Sequence, residues 1–569
     1  MNRVRGRHAA ARVRIARVAA MLVCSASLAR AATPTSAPAE PRVRLVVLLV
    51  IDQFRADFLT RAAPYFCERG FRRLIDRGAW FANAYYSQAA SATAAGHATI
   101  ATGQTPRRHG IVANEWYLTP DATKPAPAFD DPACALVGQA TGDHDRHFSP
   151  RRLLAQTLGD QLKLTDRRAR VFSVALKPRS AIALGGHLAD GAFWWSDPSG
   201  QCVTSSYYRA ALPPALAGFN RDRWPARFFG QNWTPLLPES AYAGCRAAPD
   251  ADAPHTGLGA AFPHHVPDGR AGPNPIVAIE ASPYGNDVTL EIAGRLIDGE
   301  QLGAGPATDL LAISLSSFDV AGHAFGPQSA EMLDFAVQTD RQLAAFLDRL
   351  DARVGLDRCL VALSADHGVS LPPSVLRGVH LPAGVIDLAG VTKRLVAQLR
   401  ASGVSPAATD DLVRGIELPW VYFTPGFYAL DEAARRRVLA IVEAELARTP
   451  GVAAVIGRER LAGAAPPRDD ELAFLAWRAW SPGRGGELCL CLSTGWYKRD
   501  ENIAGHTVGW NHDRHVPILL AGPGVRAGKF YSPADPLDIA PTIAAVLGIE
   551  PPLGAEGRVL FEALADHPR

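Results

Sequence analysis

The chain has 569 residues, of which 48% are hydrophobic and 20% are charged, and its formal net charge is +3. This length exceeds one ordinary compact domain, so we expect either one large α/β domain with insertions or two domains. A net charge this small, spread over many charged residues, gives no nucleic-acid-binding footprint.

The first 41 residues have the pattern of an export signal followed by a linker. Several arginines precede an apolar stretch from Ile15 to Leu28, and Ala29-Arg30-Ala31 then offers a small-x-small cleavage site. A membrane anchor is the alternative, but the apolar stretch is short for a span. We therefore predict a signal peptide at 1–31, a linker at 32–41, and an exported, periplasmic or secreted protein without a membrane span in its mature part.

Seven of the eight cysteines would remain after cleavage. None of them forms a Cys-x-x-Cys pair, so a zinc site built from thiolates is not expected. Because export permits disulfides, Cys202 and Cys245 are a candidate pair.

From residue 42 onward, continuous apolar runs alternate with helical patterns. Such runs are typical of strands buried on both faces of a parallel sheet, and they lie at Leu45–Ile51, Val171–Leu176, Leu310–Leu315, Leu360–Leu363 and Val516–Leu520. The helical patterns lie at Phe71–Asp76, Arg151–Leu162, Ala330–Leu350, Asp431–Ala447 and Ile539–Leu547. This alternation predicts an α/β fold with a doubly wound, mostly parallel sheet flanked by helices. Two stretches, at about 197–283 and 370–486, interrupt it, and we interpret them as cap insertions over the carboxyl edge of the sheet.

Asp and His residues follow three of the predicted strands: Asp52, Asp319 with His323, and Asp366 with His367. Open α/β sheets bind their ligands at the carboxyl ends of strands. The four-residue spacing of Asp319 and His323 lets both side chains face one metal if the segment turns helically. Asp366 and His367 are adjacent, so they can share a metal only where the chain turns, which the following glycine permits.

His506 is the sixth candidate ligand and precedes the last predicted strand, with His512 and His515 as alternatives. Three carboxylates and three imidazoles are enough for two zinc ions. A pair of metal ions in turn suits phosphoryl transfer.

The segment Ser91-Ala92-Thr93-Ala94-Ala95-Gly96-His97 offers a nucleophile at a predicted helix start. Its small residues let a phosphate approach backbone N–H groups. Coordination to zinc would activate a hydroxyl that is otherwise a weak nucleophile. We predict Thr93 as that nucleophile, with Ser91 and Thr99 as alternatives.

Lys177-Pro178-Arg179 follows the second predicted strand. If this segment is extended, as proline favours for the residue before it, Lys177 and Arg179 project on the same side. Two such cations suit a dianionic phosphate, although a solvated basic loop is the ordinary alternative. Asn114 could donate an amide hydrogen bond to a phosphoryl oxygen, or could simply be a turn residue.

Taken together and in this order, these motifs resemble the alkaline phosphatase superfamily. The resemblance is closest to the phosphate-irrepressible bacterial alkaline phosphatases of the PafA type, which are related to the nucleotide pyrophosphatase/phosphodiesterases. It extends from about residue 42 to the C-terminus. Its carriers are Val50-Ile51-Asp52-Gln53-Phe54-Arg55, Thr93-x-x-Gly96-His97, His109-Gly110-Ile111 with Asn114, Lys177-x-Arg179, Phe318-Asp319-x-x-x-His323, Ser364-Ala365-Asp366-His367-Gly368, and His506 with His515-Val516-Pro517.

The resemblance implies an enzyme that hydrolyses small-molecule phosphate monoesters with two zinc ions per chain. One ion would be held by Asp319, His323 and His506. The other would be held by Asp52, Asp366 and His367 beside Thr93, which would form a phosphothreonine. Asn114, Lys177 and Arg179 would bind nonbridging oxygens, and the Lys-x-Arg pair favours monoesters because the diesterases typically lack it.

Three other functions remain open at the level of sequence. A phosphodiesterase/nucleotide pyrophosphatase and a phosphonate monoester hydrolase share the same fold, and a catalytically silent binding protein is a remote alternative. A sulfatase is disfavoured, because no Cys-x-Pro-x-Arg or Ser-x-Pro-x-Arg sequence surrounds the nucleophile. The sequence does not set the oligomeric state, and a monomer is compatible with it.

Overall fold

A computed structural model of the chain describes residues 43–138, 147–196, 199–248, 256–270, 272–404, 411–498, 502–506 and 509–565. The predicted signal peptide and linker lie outside these residues. The strands of the described part are β1 Leu45–Ile51, β2 Ala79–Phe81, β3 Glu115–Trp116, β4 Ala126–Pro127, β5 Leu136–Val137, β6 Val171–Ala175, β7 Gly191–Ser196, β8 Gln201–Ser205, β9 Asn232–Trp233, β10 His264–His265, β11 Asp309–Leu315, β12 Cys359–Ser364, β13 Gly384–Ile386, β14 Val413–Glu417, β15 Trp420–Phe423, β16 Val452–Gly457, β17 Leu488–Leu492, β18 Trp496–Lys498, β19 Ile518–Ala521 and β20 Gly528–Phe530.

The α-helices connect and cover these strands. They are α1 Phe58–Arg61, α2 Phe71–Arg77, α3 Thr93–Thr102, α4 Pro106–His109, α5 Leu158–Thr165, α6 Pro178–Gly185, α7 Pro214–Arg221, α8 Pro275–Glu280, α9 Pro283–Gly299, α10 Ser317–Phe325, α11 Ala330–Arg353, α12 Pro373–Gly378, α13 Leu388–Ala401, α14 Pro425–Ala429, α15 Glu432–Arg448, α16 Arg458–Ala462, α17 Glu471–Ala479, α18 Asn511–Arg514 and α19 Ile539–Leu547.

A ten-stranded sheet with the order β20-β2-β19-β12-β1-β11-β6-β7-β8-β5 forms the centre of the fold. Its middle is parallel, since β1 pairs in parallel with both β11 and β12, β11 pairs with β6, and β6 pairs with β7. Antiparallel strands join toward the edges, where β19 pairs with β12 and β8 pairs with β7. The predicted mostly parallel sheet is confirmed.

Both faces of this sheet are covered by helices, as the uninterrupted apolar sequence of β1 requires. Every residue of β1 is buried. Leu45, Val47 and Leu49 belong to a core shared with α9 and α11, whereas Val46 and Leu48 belong to a core shared with α3, α5 and α19. Alternate side chains of one strand thus enter cores on opposite faces, which is the doubly wound arrangement.

The two predicted insertions carry structure of their own. Within 197–283, β8 extends the central sheet, and β9 with β10 makes a separate antiparallel pair. Within 370–486, the helices α13 and α15 accompany a second sheet with the order β14-β15-β17-β16. One strand of that sheet, β17, lies beyond the predicted boundary at 486.

Two local predictions are wrong. The helix predicted at Arg151–Leu162 begins only at Leu158, because Thr157 forms a capping box with Asp160 that fixes the helix start there. The candidate disulfide is absent: Cys202 and Cys245 are both free. Cys202 instead packs in the apolar core on one face of the sheet.

Candidate metal centre

The candidate ligands meet at one edge of the sheet because they follow neighbouring parallel strands. Asp52 comes directly after β1, Asp366 lies in a bend two residues after β12, and Asp319 lies in the first turn of α10, just after β11. Since β1 pairs in parallel with both β11 and β12, the carboxyl ends of the three strands lie side by side. The structure therefore brings together carboxylates that are up to 314 positions apart in the sequence.

Asp52, Asp366 and His367 form a compact group whose ligand atoms all lie within 4.8 Å of one another. His367 Nε2 is 3.5 Å from Asp52 Oδ1 and 3.4 Å from Asp366 Oδ2. These three atoms are buried, and none has a hydrogen-bond partner in the described part of the chain. Buried polar atoms without partners are costly, so their convergence on one point fits a bound cation.

A second group surrounds Asp319. Its carboxylate, His506 and His367 have ligand atoms within 4.8 Å of one another. His323, one turn after Asp319 on α10 as the spacing predicted, places Nε2 3.2 Å from Asp319 Oδ1. The imidazoles of His323 and His367 both lie against that of His506, with ring centroids 5.1 and 3.7 Å away. On distance, His367 completes this group; His323, the histidine that the sequence assigned to it, contacts Asp319 but its ring lies farther from that of His506.

All three imidazoles are oriented in the same way. Each donates its Nδ1–H to a backbone carbonyl: His323 to Ala504 (2.7 Å), His367 to Gly368 (2.9 Å) and His506 to Ser91 (2.6 Å). A hydrogen bond of this kind fixes the tautomer and leaves the Nε2 lone pair for a metal. The ring orientation, like the unpartnered atoms, fits two metal ions with nitrogen and oxygen ligands, which zinc accepts.

The electrostatics of the group favour cation binding. Burial and the neighbouring Asp319 and Asp366 carboxylates raise the pKa of Asp52 to about 7. Burial lowers the pKa of His367 to about 4, and burial with the two neighbouring imidazoles lowers the pKa of His506 well below its ordinary value. Both imidazoles are therefore neutral at neutral pH, which is the form that binds metals.

The other two alternatives for His506 lie elsewhere. His515 stacks on Tyr85 with ring centroids 4.4 Å apart and bonds the carbonyl of Ala82. His512 places Nε2 3.4 Å from the carboxylate of its neighbour Asp513.

Lys177 is positioned differently from the sequence prediction. Its backbone is extended, but Pro178 begins α6, so Arg179 lies in the first turn of a helix instead of in an extended segment. The prediction missed that the fixed φ of proline suits the first helical position. Lys177 Nζ donates to Asp52 Oδ2 (2.8 Å) and Asp319 Oδ2 (2.5 Å), one carboxylate from each group.

These contacts shift the pKa values of Lys177 and Asp319 in the directions that keep both side chains charged. Although burial opposes it, Asp319 and Asp52 raise the pKa of Lys177 above its ordinary value. Burial likewise acts to raise the pKa of Asp319, but Lys177 and His323 hold it well below its usual range. Arg179 adds a second cation beside Lys177, and its Nε is buried without a hydrogen-bond partner among the described residues.

Thr93 is the first residue of α3 and is buried, with 1% of its surface exposed. Asn114 lies next to it, because its Oδ1 accepts a hydrogen bond of 2.9 Å from the backbone N–H of Ala94. That bond fixes the amide orientation and leaves Nδ2 to donate elsewhere. Thr99, an alternative nucleophile, donates its hydroxyl to the carbonyl of Ala95 (2.9 Å) within the helix.

A glycine permits α3 to lie directly on the metal centre. A Cβ atom at Gly96 would be 2.2 Å from the carbonyl oxygen of Asp366 and 2.8 Å from its Cβ. Only a residue without a side chain allows this approach. The contact places Thr93, one turn earlier in the helix, next to the group formed by Asp52, Asp366 and His367.

Two residues of the centre received no role from the sequence. Gln53 donates its backbone N–H to Asp366 Oδ1 (3.1 Å) and its Nε2 to Asp319 Oδ1 (2.7 Å). His97 Nδ1 donates to the carbonyl of Thr93 (2.8 Å) and lies 3.2 Å from Asp366 Oδ2. Both belong to the motifs quoted above. The only sequence signal for a role was that Gln53 follows the candidate ligand Asp52 and that His97 lies four residues after Thr93.

Comparison with known proteins identifies the family. A family model described as type I phosphodiesterase/nucleotide pyrophosphatase matches residues 46–448. The chain belongs to this family. It is 32% identical over 541 residues to alkaline phosphatase PafA of Elizabethkingia meningoseptica, covering 92% of this chain and 95% of that protein. It is 33% identical over 533 residues to alkaline phosphatase PhoV of Synechococcus elongatus, covering 92% and 93%.

The fold agrees with this assignment. The crystal structure of wild-type alkaline phosphatase PafA superposes with a TM-score of 0.81 at 30% identity, covering 93% of this chain and all of that one. The predicted resemblance, and with it the prediction of an alkaline-phosphatase-type hydrolase, are confirmed. Among the helices that the structure describes, none is long and apolar enough to cross a membrane.

Proposed function

We propose that the chain hydrolyses phosphate monoesters with two zinc ions and forms a phosphothreonine on Thr93. One observation carries the proposal: the unpartnered ligand atoms of Asp52, Asp366 and His367 converge beside the helix that begins at Thr93. Zinc ions held by the two groups would supply Lewis-acid stabilisation to the attacking and leaving oxygens.

The residues around Thr93 are suited to a phosphoryl group. Asn114 is held beside Thr93 by its Oδ1, so its Nδ2 is the atom that would donate to a phosphoryl oxygen, and Arg179 presents a guanidinium whose Nε is unpartnered within the described residues. Lys177 adds an ammonium between the two groups of ligands. Two cations stabilise a dianionic monoester more than a monoanionic diester, and this difference supports the monoester assignment.

The reaction then runs in two displacements. The hydroxyl of Thr93 gives its proton to water and its oxygen forms a bond to phosphorus, while the bond from phosphorus to the leaving-group oxygen breaks. The leaving oxygen takes a proton back from water and departs as the alcohol. A water molecule next attacks the phosphothreonine, which restores the threonine hydroxyl and releases inorganic phosphate. Asn114, Lys177 and Arg179 hold the nonbridging oxygens through both steps.

We also propose that the chain is exported, and that residues from about 197–283 and 370–486 cap the substrate cleft. The pattern of residues 1–31 supports the first statement. The second is supported by Trp420 of the second insertion, whose Nε1 donates to the carbonyl of Val112 (3.1 Å), two residues before Asn114. N-terminal sequencing of the protein recovered outside the cytoplasm tests the export signal.

Steady-state kinetics on a matched aryl phosphate monoester and diester, with and without added zinc, test the function. We expect the monoester to be preferred, and Lys177→Ala and Arg179→Ala each to lower its kcat/KM about 10²–10³-fold, the loss typical of one removed transition-state donor. Diester turnover should fall far less. Arg77→Ala serves as the control, because this exposed arginine ends α2 near Cys359, at the amino end of β12 and thus opposite to the ligands.

Each other function has its own outcome. A preference for the diester, or equal losses on both esters, would favour the phosphodiesterase. A preference for an aryl phosphonate would favour the phosphonate monoester hydrolase. Bound zinc without turnover of any ester would identify a silent binding protein.

A further inference from the structure

Gln53 contacts both groups of metal ligands and follows a third ligand in the chain. Its backbone N–H donates to Asp366 Oδ1 (3.1 Å), its side-chain Nε2 donates to Asp319 Oδ1 (2.7 Å), and its neighbour is Asp52. All four residues are buried, with Gln53 only 1% exposed. One residue thus connects the carboxylates of two groups that come from three different strands.

We propose that Gln53 is a positioning residue whose side-chain amide fixes Asp319 for one metal ion. The proposal rests on the two-metal site of the proposed function. Hydrogen bonds to ligating carboxylates orient them and tune metal affinity, and their loss typically costs about 10–100-fold in affinity.

The two hydrogen bonds of Gln53 predict unequal effects at the two sites. The bond to Asp366 comes from the backbone, so any residue except proline can supply it. The bond to Asp319 comes from the side-chain amide, so only a suitable donor at position 53 can supply it. A side-chain substitution should therefore weaken the site of Asp319 and leave that of Asp52 nearly unchanged.

The surroundings of Gln53 are built to accept this side chain. Gly322 lies on α10 between Asp319 and His323, and a Cβ atom there would stand 1.9 Å from Gln53 Oε1. The glycine leaves the space that the amide fills. An alanine at position 322 would displace the amide while the helix itself persists, since alanine is a better helix former than glycine.

The backbone of Gln53 adds an independent indication. Its φ is +67°, in the left-handed region that non-glycine residues rarely adopt. A glycine would take this conformation without strain, but it would lose the donor to Asp319. A long amide side chain held in a strained conformation beside metal ligands is consistent with a positioning role.

The experiment measures zinc bound by the full-length protein in competition with a chromophoric chelator of known affinity. We expect wild type to bind two ions, and Gln53→Ala to bind the weaker ion about 10–100-fold less tightly with the other nearly unchanged. Gln53→Glu is isosteric but replaces the donor with an acceptor facing Asp319, so its loss should be at least as large. Gln338→Ala is the matched control, because it removes another glutamine-to-aspartate hydrogen bond, from Gln338 to Asp334, away from the site.

A double-variant comparison separates positioning from general damage. Gly322→Ala alone should lower the affinity of the same ion, whereas adding it to Gln53→Ala should cost nothing further, because the displaced group is already gone. Equal effects of Gly322→Ala in both backgrounds, or a Gln53→Glu variant with wild-type affinity, would overturn the proposal. Fewer than two ions in wild type would instead overturn the two-metal function itself, and with it this proposal.

Discussion

Gly96→Ala should separate the nucleophile from the metal centre without removing any chemical group. A Cβ at this position would lie 2.2 Å from the carbonyl oxygen of Asp366. Ordinary van der Waals contacts of a Cβ lie at 3.4–4 Å, so α3 and the Asp366 segment must move apart by about 1.2 Å or more. A displacement of 1 Å at a reacting centre can lower the rate about 10²-fold, which corresponds to about 3 kcal/mol in the barrier.

The assay is kcat/KM for an aryl phosphate monoester with zinc in excess, normalised to the folded fraction. That normalisation is needed because overpacking of this kind also costs about 1–3 kcal/mol of stability. Gly378→Ala is the control, since nothing lies within 4 Å of a Cβ at Gly378. If folded, zinc-loaded Gly96→Ala turned over as fast as wild type, the close approach of α3 to Asp366 would not be what positions Thr93.

Two further predictions concern the metal ligands and the pH dependence of stability. In His367→Ala we expect zinc per chain, measured by elemental analysis, to fall from two ions to about one, since the single free Nε2 of an imidazole binds one ion; loss of both ions would show that His367 also supports the group around Asp319. Burial raises the pKa of Asp287 from 3.8 to about 7, although a hydrogen bond with Gln342 acts to lower it. As pH rises, Asp287 loses its proton at a lower pH in the unfolded chain than in the folded one. The free energy of unfolding therefore falls as pH rises from about 4 to 7 and then levels off. Thermal melts of Asp287→Asn should show a gain over wild type that grows across this range, and a constant difference would contradict the assigned pKa.

Local apolar sequence was enough to find the core of the sheet. The run Leu45–Ile51 is β1 residue for residue, and Ile539–Leu547 is α19. Both are clearly bounded in the sequence, since Asp52 follows the first directly and Gly548, in the left-handed conformation, ends the second. Arg151–Leu162 failed because the predicted range includes Arg151 and Arg152, which belong to a separate 3-10 turn, whereas the helix begins only at Leu158.

The pairing order of the strands was beyond local sequence. β1 lies between β11 and β12, and both partners are more than 250 residues away. The motifs nevertheless named candidate ligands that the structure brings together, because the resemblance to a family supplied what spacing could not. Lys177 shows the limit of prediction from motifs. The motif singled out this lysine, but it did not predict its position at the start of a helix or its hydrogen bonds to Asp52 and Asp319.

The glycines of the centre show why the remaining geometry could not be read from the sequence. Gly368 was expected to permit a turn after Asp366, yet it is not among the residues with positive φ. A Cβ there would lie 2.2 Å from the carbonyl oxygen of His512, so close approach of another segment is what requires glycine. Gly96 and Gly322 are needed for the same reason, against Asp366 and Gln53. In each case the partner is distant in the sequence, so the glycine can be seen in a motif while the contact that demands it cannot. These three contacts allow Thr93, Asp366 and Gln53 to lie as close together as they do, so the geometry of the candidate centre depends on close packing at glycines as well as on the candidate ligands.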